Sequence, residues 1–224
     1  MKTTWLGQAG LLFEKDSLTI LVDPYLSDSV AKINPQNTRR IPVDEKFLHI
    51  IPDVIICTHN HLDHTDPDTL RNYLTGEKSV LVLAPQAAWQ EIRKFGGPHN
   101  YIRFNRHTEL SFKNILFKAV RAEHTDEHPI GVIIEDGEKR YYITGDTLYN
   151  TEIFEDIPAG IDVLFLPING VGNNMNMTDA ARFCEKVNPR KVVPLHCGLF
   201  DDIDMNNFSP QNKVIPKIYQ EIIL

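Results

Sequence analysis

Residues 54–67 read VIICTHNHLDHTDP, an apolar run that ends in a dense group of histidines and carboxylates. The apolar part has the length and the β-branched content of a buried strand. Three histidines and one aspartate follow it within six residues, namely His59, His61, Asp63 and His64. Imidazole and carboxylate groups are metal ligands. The sequence therefore predicts a turn at the end of a strand that offers several donors to a metal ion.

Further donors stand directly after other predicted strands. His124 follows a strand predicted over 115–120, Asp146 follows one over 141–144, and His196 follows one over 191–195. One turn cannot complete a metal site of roughly four to six ligands. Because α/β folds place their sites at the carboxyl ends of strands, we expect these three side chains to meet the turn at 59–64.

The remaining pattern predicts one α/β domain over residues 1–224. Further apolar segments predict strands over 11–14, 18–23, 54–58, 80–84, 131–135 and 163–166. Apolar positions three and four apart predict helices over 67–74, 85–95, 178–187 and 210–224, with Asp66, Thr178 and Ser209 as N-caps. The segment 25–52 has no clear periodicity, and loops of that length are often functional. The polar stretch 169–174 is expected to line the cleft.

Composition excludes several classes of protein. The chain is 42% hydrophobic and 24% charged, as in ordinary globular proteins. No apolar run approaches the ~20 residues that span a bilayer, and the N-terminus lacks the pattern of a secretory signal. A net charge of −7 argues against nucleic acid as a partner, and three cysteines without paired spacing fit a reducing cytoplasm. We expect a cytoplasmic protein with a small-molecule substrate and no membrane partner. Its oligomeric state, a homo-oligomer included, is left open.

The order of the motifs resembles that of the metallo-β-lactamase superfamily over nearly the whole chain. The matching positions are Asp23, the turn 59–64, His124, Asp146 and His196. The resemblance implies a four-layered αβ/βα sandwich with a site for two divalent metal ions at one edge. It implies that one ion is held by His59, His61 and His124, that the other is held by Asp63, His64 and His196, that Asp146 bridges them, and that Asp23 orients the ligand turn.

Within the superfamily, four segments resemble the L-ascorbate-6-phosphate lactonase family: 5–10, 38–42, 145–150 and 191–196. This resemblance implies a metal-dependent hydrolase acting on a small anionic sugar-derived lactone, with or without a phosphate group, through a metal-bound hydroxide. It favours Mn²⁺, whereas the donor set alone also suits Zn²⁺. A two-metal phosphodiesterase and a non-catalytic metal-binding protein of the same fold are the alternatives.

Four residues are predicted to act on the substrate. Asp63 is predicted to pass a proton to the leaving alkoxide. Tyr149 is predicted to donate to the developing oxyanion, although packing explains such a tyrosine about equally well. Arg39 and Arg40, in the segment 25–52, are predicted to bind a substrate phosphate, and a solvated loop face is the competing interpretation.

Overall fold

Two mixed six-stranded sheets pack against each other in the computed structural model, which describes residues 1–224. The first sheet contains, in spatial order, β1 (Lys2–Gly7), β2 (Gly10–Lys15), β3 (Leu18–Val22), β4 (Val54–Ile56), β5 (Leu81–Ala84) and β6 (Asn100–Arg103). Its first three strands are antiparallel, and β3 to β6 are parallel. Ile20 of β3 pairs with Val54 of β4 in parallel register. The carboxyl end of β3 therefore lies beside that of β4, which leads into the ligand turn at 59–64.

The strands of the second sheet also lie side by side in chain order, from β7 at one edge to β12 at the other. It contains β7 (Glu109–Phe112), β8 (Ile115–Arg121), β9 (Ile130–Glu135), β10 (Arg140–Ile143), β11 (Val163–Pro167) and β12 (Lys191–Leu195). The strands β7 to β10 are antiparallel, and β10 to β12 are parallel. Consequently β8, β10 and β12 all run in one direction and end at the same edge.

Helices cover the outer faces of the sheets. They are α1 (Pro67–Leu74), α2 (Gln86–Ile92) and α3 (Met177–Val187). The Asp66 carboxylate caps α1 by accepting hydrogen bonds from the backbone of Asp68 and Thr69, as predicted. The N-cap of α3 is Asn176, so the prediction of Thr178 at that position is wrong by two residues. None of these helices has both the length and the apolar character that crossing a bilayer requires.

Side chains of the first sheet alternate between two hydrophobic cores, one facing the second sheet and one facing α1 and α2. In β2, Phe13 faces the second sheet, and its ring meets Tyr141 edge-on at 5.5 Å and Phe165 at 5.9 Å. Leu12, the neighbour of Phe13, faces the opposite way, into a core shared with Leu70 of α1. On the far side, Phe183 of α3 packs against Tyr142. The predicted four-layered αβ/βα sandwich is thereby confirmed.

The C-terminal helix predicted over 210–224 is wrong. That segment contains turns and two isolated β-bridges and no helix. Val214 donates its backbone N–H to Val192 at 2.7 Å, and Ile222 donates to Thr3 at 2.8 Å. These bonds use backbone groups that a helix would need for itself, and Pro216 cannot donate one. The strands β1, β6 and β7 were not predicted, and the segment 25–52 contains three short 3-10 helices, Val30–Lys32, Pro35–Asn37 and Glu45–His49.

Candidate metal centre

The ligand turn and the other predicted donors meet at one edge of the sandwich. The donors leave the strand ends in order, with Asp23 after β3, residues 59–64 after β4, His124 after β8, Asp146 after β10 and His196 after β12. Gly145 lets β10 end close to the ligand turn, because its φ is +62° and a side chain there would lie 2.8 Å from the backbone oxygen of Ile130. The expectation that strand ends gather these residues therefore holds.

All seven predicted metal donors form one cluster. Its ligand atoms fall into three groups, each within 4.8 Å: His59 with His61 and His124, His59 with His64 and Asp146, and Asp63 with His64 and His196. The first and last groups are the two sets that the resemblance implied. Asp146 lies between them, since its Oδ2 is 3.1 Å from Nε2 of His196 and 3.9 Å from Nε2 of His124.

The chemistry of the cluster fits divalent metal ions. Nε2 of His59 and Oδ1 of Asp146 are buried and have no hydrogen-bond partner. Buried polar atoms are rarely left unpaired, and both atoms are ordinary metal donors. Burial holds the pKa of His59 well below its usual value, so its ring is neutral and offers a lone pair. Nitrogen and oxygen donors without thiolate suit Zn²⁺ and Mn²⁺ alike.

Opposite charges balance one another inside the cluster. Burial alone would lower the pKa of His64, but the Asp146 and Asp23 carboxylates raise it well above the usual range. The Asp146 carboxylate likewise outweighs burial at His196 and raises its pKa to about 10. Burial would raise the pKa of Asp146, but His196 and His64 hold it well below its usual value. Cations therefore compete with protons for the same donor atoms.

Asp23 orients two histidines of the cluster through hydrogen bonds, His64 directly and His59 through Thr58. Its fully buried carboxylate accepts hydrogen bonds from Nδ1 of His64 at 2.8 Å and from the Thr58 hydroxyl at 2.7 Å. The Thr58 oxygen in turn lies 3.0 Å from Nδ1 of His59. Such outer partners fix the tautomer and the orientation of metal-binding imidazoles. This is the place that the resemblance implied for Asp23.

Three carboxamides contact the donors, and no role was predicted for any of them. Gln8 donates to Oδ2 of Asp63 at 2.8 Å, and Asn174 donates to Oδ2 of Asp146 at 2.8 Å. Nδ2 of Asn169 lies 3.0 Å from Nδ1 of His196. Gln8 follows β1, which was not predicted, whereas both asparagines belong to the polar stretch expected to line the cleft.

Tyr149, Arg39 and Arg40 lie outside this network. The Tyr149 ring packs edge-on against Phe154 at 5.8 Å, and the Arg182 guanidinium lies 4.5 Å above it. Arg39 donates to the backbone oxygen of Tyr25 at 2.8 Å and to the Tyr219 hydroxyl at 2.7 Å, and Arg40 pairs with Asp202. None of these contacts involves a metal donor. The substrate roles predicted for these three residues stay predictions.

A cavity of about 400 Å³ opens beside His124. Its lining is mainly polar and includes Asn105, Arg106, Arg121, Glu123 and Asp126. The guanidinium of Arg106 is bound by both oxygens of Asp156, and that of Arg121 is paired with Glu152 and Glu123. The cavity has room for a small polar molecule beside the metal cluster, and the two arginines of its wall are already paired.

Comparison with known proteins agrees with this architecture. The model of the beta-lactamase superfamily domain matches residues 19–197. A UPF0173 protein from Pyrococcus furiosus is 30% identical over 217 residues, covering 94% of this chain and 90% of that protein. The chain belongs to the UPF0173 family of the metallo-β-lactamase superfamily.

A second relative and a solved structure extend the comparison. A UPF0173 metal-dependent hydrolase from Exiguobacterium is 31% identical over 218 residues, covering 91% of this chain and 88% of that protein. The metallo hydrolase Igni18 from the archaeon Ignicoccus hospitalis has the same fold, with a TM-score of 0.76, 20% identity and coverage of 98% of this chain and 96% of that one. The comparisons thus show the metallo-β-lactamase fold and membership of the UPF0173 family, and the lactonase branch stays a prediction.

Proposed function

We propose that this UPF0173 protein is a two-metal hydrolase that opens small polar lactones. The observation that carries the proposal is the position of Asp146 between two complete groups of donors. His59, His61 and His124 would hold one ion, and Asp63, His64 and His196 would hold the other. A protein that had lost catalysis would be expected to show gaps among these donors, and this cluster has none.

Divalent ions bound by these donors would lower the pKa of water to about 7 and would polarise a carbonyl or phosphoryl oxygen. The protein itself supplies orientation and proton transfer. Asp23 and Thr58 hold His64 and His59, so the donors keep their places through the reaction. In the net reaction, water adds to the lactone carbonyl carbon, the ring C–O bond breaks, and the leaving alkoxide takes up a proton to give the hydroxy acid.

Asp63 is our candidate for carrying that proton. Its side chain is 18% exposed, against 6% for Asp146, so of these two carboxylates it lies nearer to an incoming substrate. The Gln8 amide donates to Oδ2 of Asp63 and fixes the carboxylate without adding charge. The proton would arrive on a carboxylate oxygen of Asp63 from water and leave to the alkoxide.

The cavity beside His124 supports a polar substrate over an apolar one. Its arginines are paired with carboxylates, so hydroxyl groups of a sugar-derived lactone match its mixed donors and acceptors. The test is turnover of a lactone panel beside a phosphodiester panel, with protein loaded with Mn²⁺ or Zn²⁺. We expect lactones to be hydrolysed and Asp63→Asn to lose most of that activity. The exposed Asp16→Asn is the matched control. Turnover confined to phosphodiesters would reject the lactonase and support a phosphodiesterase.

A further inference from the structure

Four of the five histidines of the cluster share a pattern in how they use their two ring nitrogens; the exception is His61, whose Nδ1 lies 3.0 Å from Nε2 of His124. In three of them, Nδ1 points away from the cluster and faces an oxygen atom. The partners are Thr58 Oγ1 for His59 at 3.0 Å, Asp23 Oδ2 for His64 at 2.8 Å and the backbone oxygen of Asn173 for His124 at 3.2 Å. An oxygen acceptor keeps the hydrogen on Nδ1, which leaves the lone pair of Nε2 free for a metal ion.

His196 uses the same two nitrogens in the same directions. Its Nε2 lies 3.2 Å from Oδ2 of Asp63 and 3.1 Å from Oδ2 of Asp146, inside the cluster. Its Nδ1 faces the side-chain carboxamide of Asn169, with 3.0 Å between Nδ1 and Nδ2. Nε2 of Gln8 is also 3.3 Å from Nδ1 of His196, but it donates at the shorter distance of 2.8 Å to Asp63. The other atom of the Asn169 carboxamide, Oδ1, is buried and has no hydrogen-bond partner.

The two ends of an asparagine carboxamide exchange places by a half turn about χ2. With Oδ1 toward His196, the buried oxygen gains a partner, and His196 gains the same kind of acceptor as His59, His64 and His124. With Nδ2 toward His196, Nδ1 must carry the lone pair, Nε2 must carry the hydrogen, and His196 cannot bind a metal ion through Nε2.

We propose that Asn169 is the positioning residue of His196: its Oδ1 accepts the hydrogen of Nδ1 and so reserves Nε2 for the metal ion. The inference rests on the metal site of the proposed function and goes beyond it by naming the residue that makes His196 a ligand.

The backbone holds Asn169 in place for this role. Asn169 forms an isolated β-bridge with Asn176, which closes the loop between β11 and α3. Gly170 has a φ of +67°, and a side chain there would come within 2.9 Å of Cβ of Asn176. Gly170 also donates to the backbone oxygen of Met175 at 3.1 Å. A loop closed so tightly at its base gives the carboxamide a fixed place beside the imidazole.

The test is zinc binding by wild-type protein and two variants, measured by competition with a chromogenic chelator. Asn169→Leu keeps the approximate size of the side chain and removes the acceptor, and we expect it to weaken one of the two zinc sites by about 10- to 100-fold. Asn169→Asp restores an acceptor oxygen, and we expect its zinc affinity to return to within about threefold of wild type. Val171→Ala, an exposed change in the same loop, is the control.

Nitrogen-15 NMR of the histidine rings in the zinc-loaded protein gives a second readout. We expect the hydrogen of His196 on Nδ1 in the wild type. Three outcomes would each overturn the inference. Asn169→Leu could bind zinc at both sites as tightly as wild type, Asn169→Asp could fail to restore the loss, or the wild-type protein could bind no zinc. Lactone turnover is measured separately, so zinc binding as expected without hydrolysis would reject the proposed function and leave the role of Asn169 standing.

Discussion

Asp23 accepts a hydrogen bond from Nδ1 of His64 at 2.8 Å, although 41 residues separate the two in sequence. The same carboxylate also accepts hydrogen bonds from the backbone N–H and the hydroxyl of Thr58, both at 2.7 Å. One carboxylate thus joins the end of β3 to the turn that carries four donors. Asp23 reaches this position with a φ of +44°, a conformation that few residues other than glycine adopt.

Replacing Asp23 by asparagine tests this junction. The Asp23 carboxylate accepts three hydrogen bonds, whereas an asparagine side chain has only one oxygen to accept them. Its NH₂ group would lie against one of the three donors. We expect Asp23→Asn to lower zinc affinity by about 10- to 100-fold and the free energy of unfolding by about 3 kcal/mol. Chelator competition and urea unfolding measure the two effects. Asp16→Asn is the matched control, because Asp16 is exposed and also has a positive φ. Equal behaviour of the two variants would contradict the role of Asp23.

The His61→Ala variant tests the donor cluster itself. Nδ1 of His61 lies 3.0 Å from Nε2 of His124, and both belong to the group that includes His59. We expect the wild-type protein to carry close to two metal ions and His61→Ala to lose most of the metal and the activity. Elemental analysis measures the metal, with the exposed His107→Ala as control. Unchanged metal content in His61→Ala would reject the assignment.

Asp146 should matter to both ions. Because its carboxylate lies between the two donor groups, Asp146→Asn removes a shared ligand and the charge that offsets two dications. We expect both zinc affinities to fall and turnover to be lost. Metal stoichiometry and turnover are measured in parallel. Loss of turnover with both affinities intact would leave Asp146 a catalytic residue that does not bridge.

Arg39 connects two distant parts of the chain. Its guanidinium joins Tyr25 in the segment 25–52 to Tyr219 near the C-terminus. We expect Arg39→Ala to lower the free energy of unfolding by about 1–3 kcal/mol and to reduce kcat/KM equally on phosphorylated and unphosphorylated lactones. Arg40→Ala, which breaks only an exposed ion pair, should change stability little. A loss of about 10- to 150-fold confined to the phosphorylated lactone would support the phosphate contact predicted from the sequence.

Asp156, which is not a metal donor, should also make stability depend on pH. Its hydrogen bonds to Arg106, at 2.6 and 2.9 Å, hold the pKa of its carboxyl below the usual value. A lowered pKa in the folded state stabilises the protein above about pH 4, and this contribution is lost as the pH falls through the folded-state pKa. We expect Asp156→Asn to cost about 1–2 kcal/mol at pH 7 and progressively less below pH 4. Urea unfolding across this pH range measures the difference in the free energy of unfolding from wild type. For the exposed Glu155→Gln, the control, that difference should not change with pH.

The metal donors could be predicted because ligand chemistry depends on residue type and on position after a strand. Each of His124, Asp146 and His196 follows an apolar run that is itself recognisable. Asn169 and Thr58 carry no such signal, since amides and hydroxyls occur throughout a chain. Their roles depend on which strand ends meet, and that is decided by the packing of two sheets.

Most buried strands could be predicted from the sequence, although β1 was missed despite its burial. The strand β6 is largely exposed and shows no alternation of apolar and polar residues. In the C-terminal segment, Val214, Ile218 and Ile222 are four residues apart, a spacing typical of a helix. Their neighbouring backbone groups bind carbonyls of β12 and β1 instead, and pairing with existing strands outweighs a local preference that Pro216 already weakens.

Residues 213–222 cover one edge of each sheet. β1 and β12 are the outermost strands of their sheets, and an open strand edge is a template for pairing with another chain. The C-terminal segment occupies backbone acceptors on both edges, those of Thr3 and Trp5 on β1 and that of Val192 on β12. Detachment of this one segment would therefore uncover two aggregation-prone edges at once.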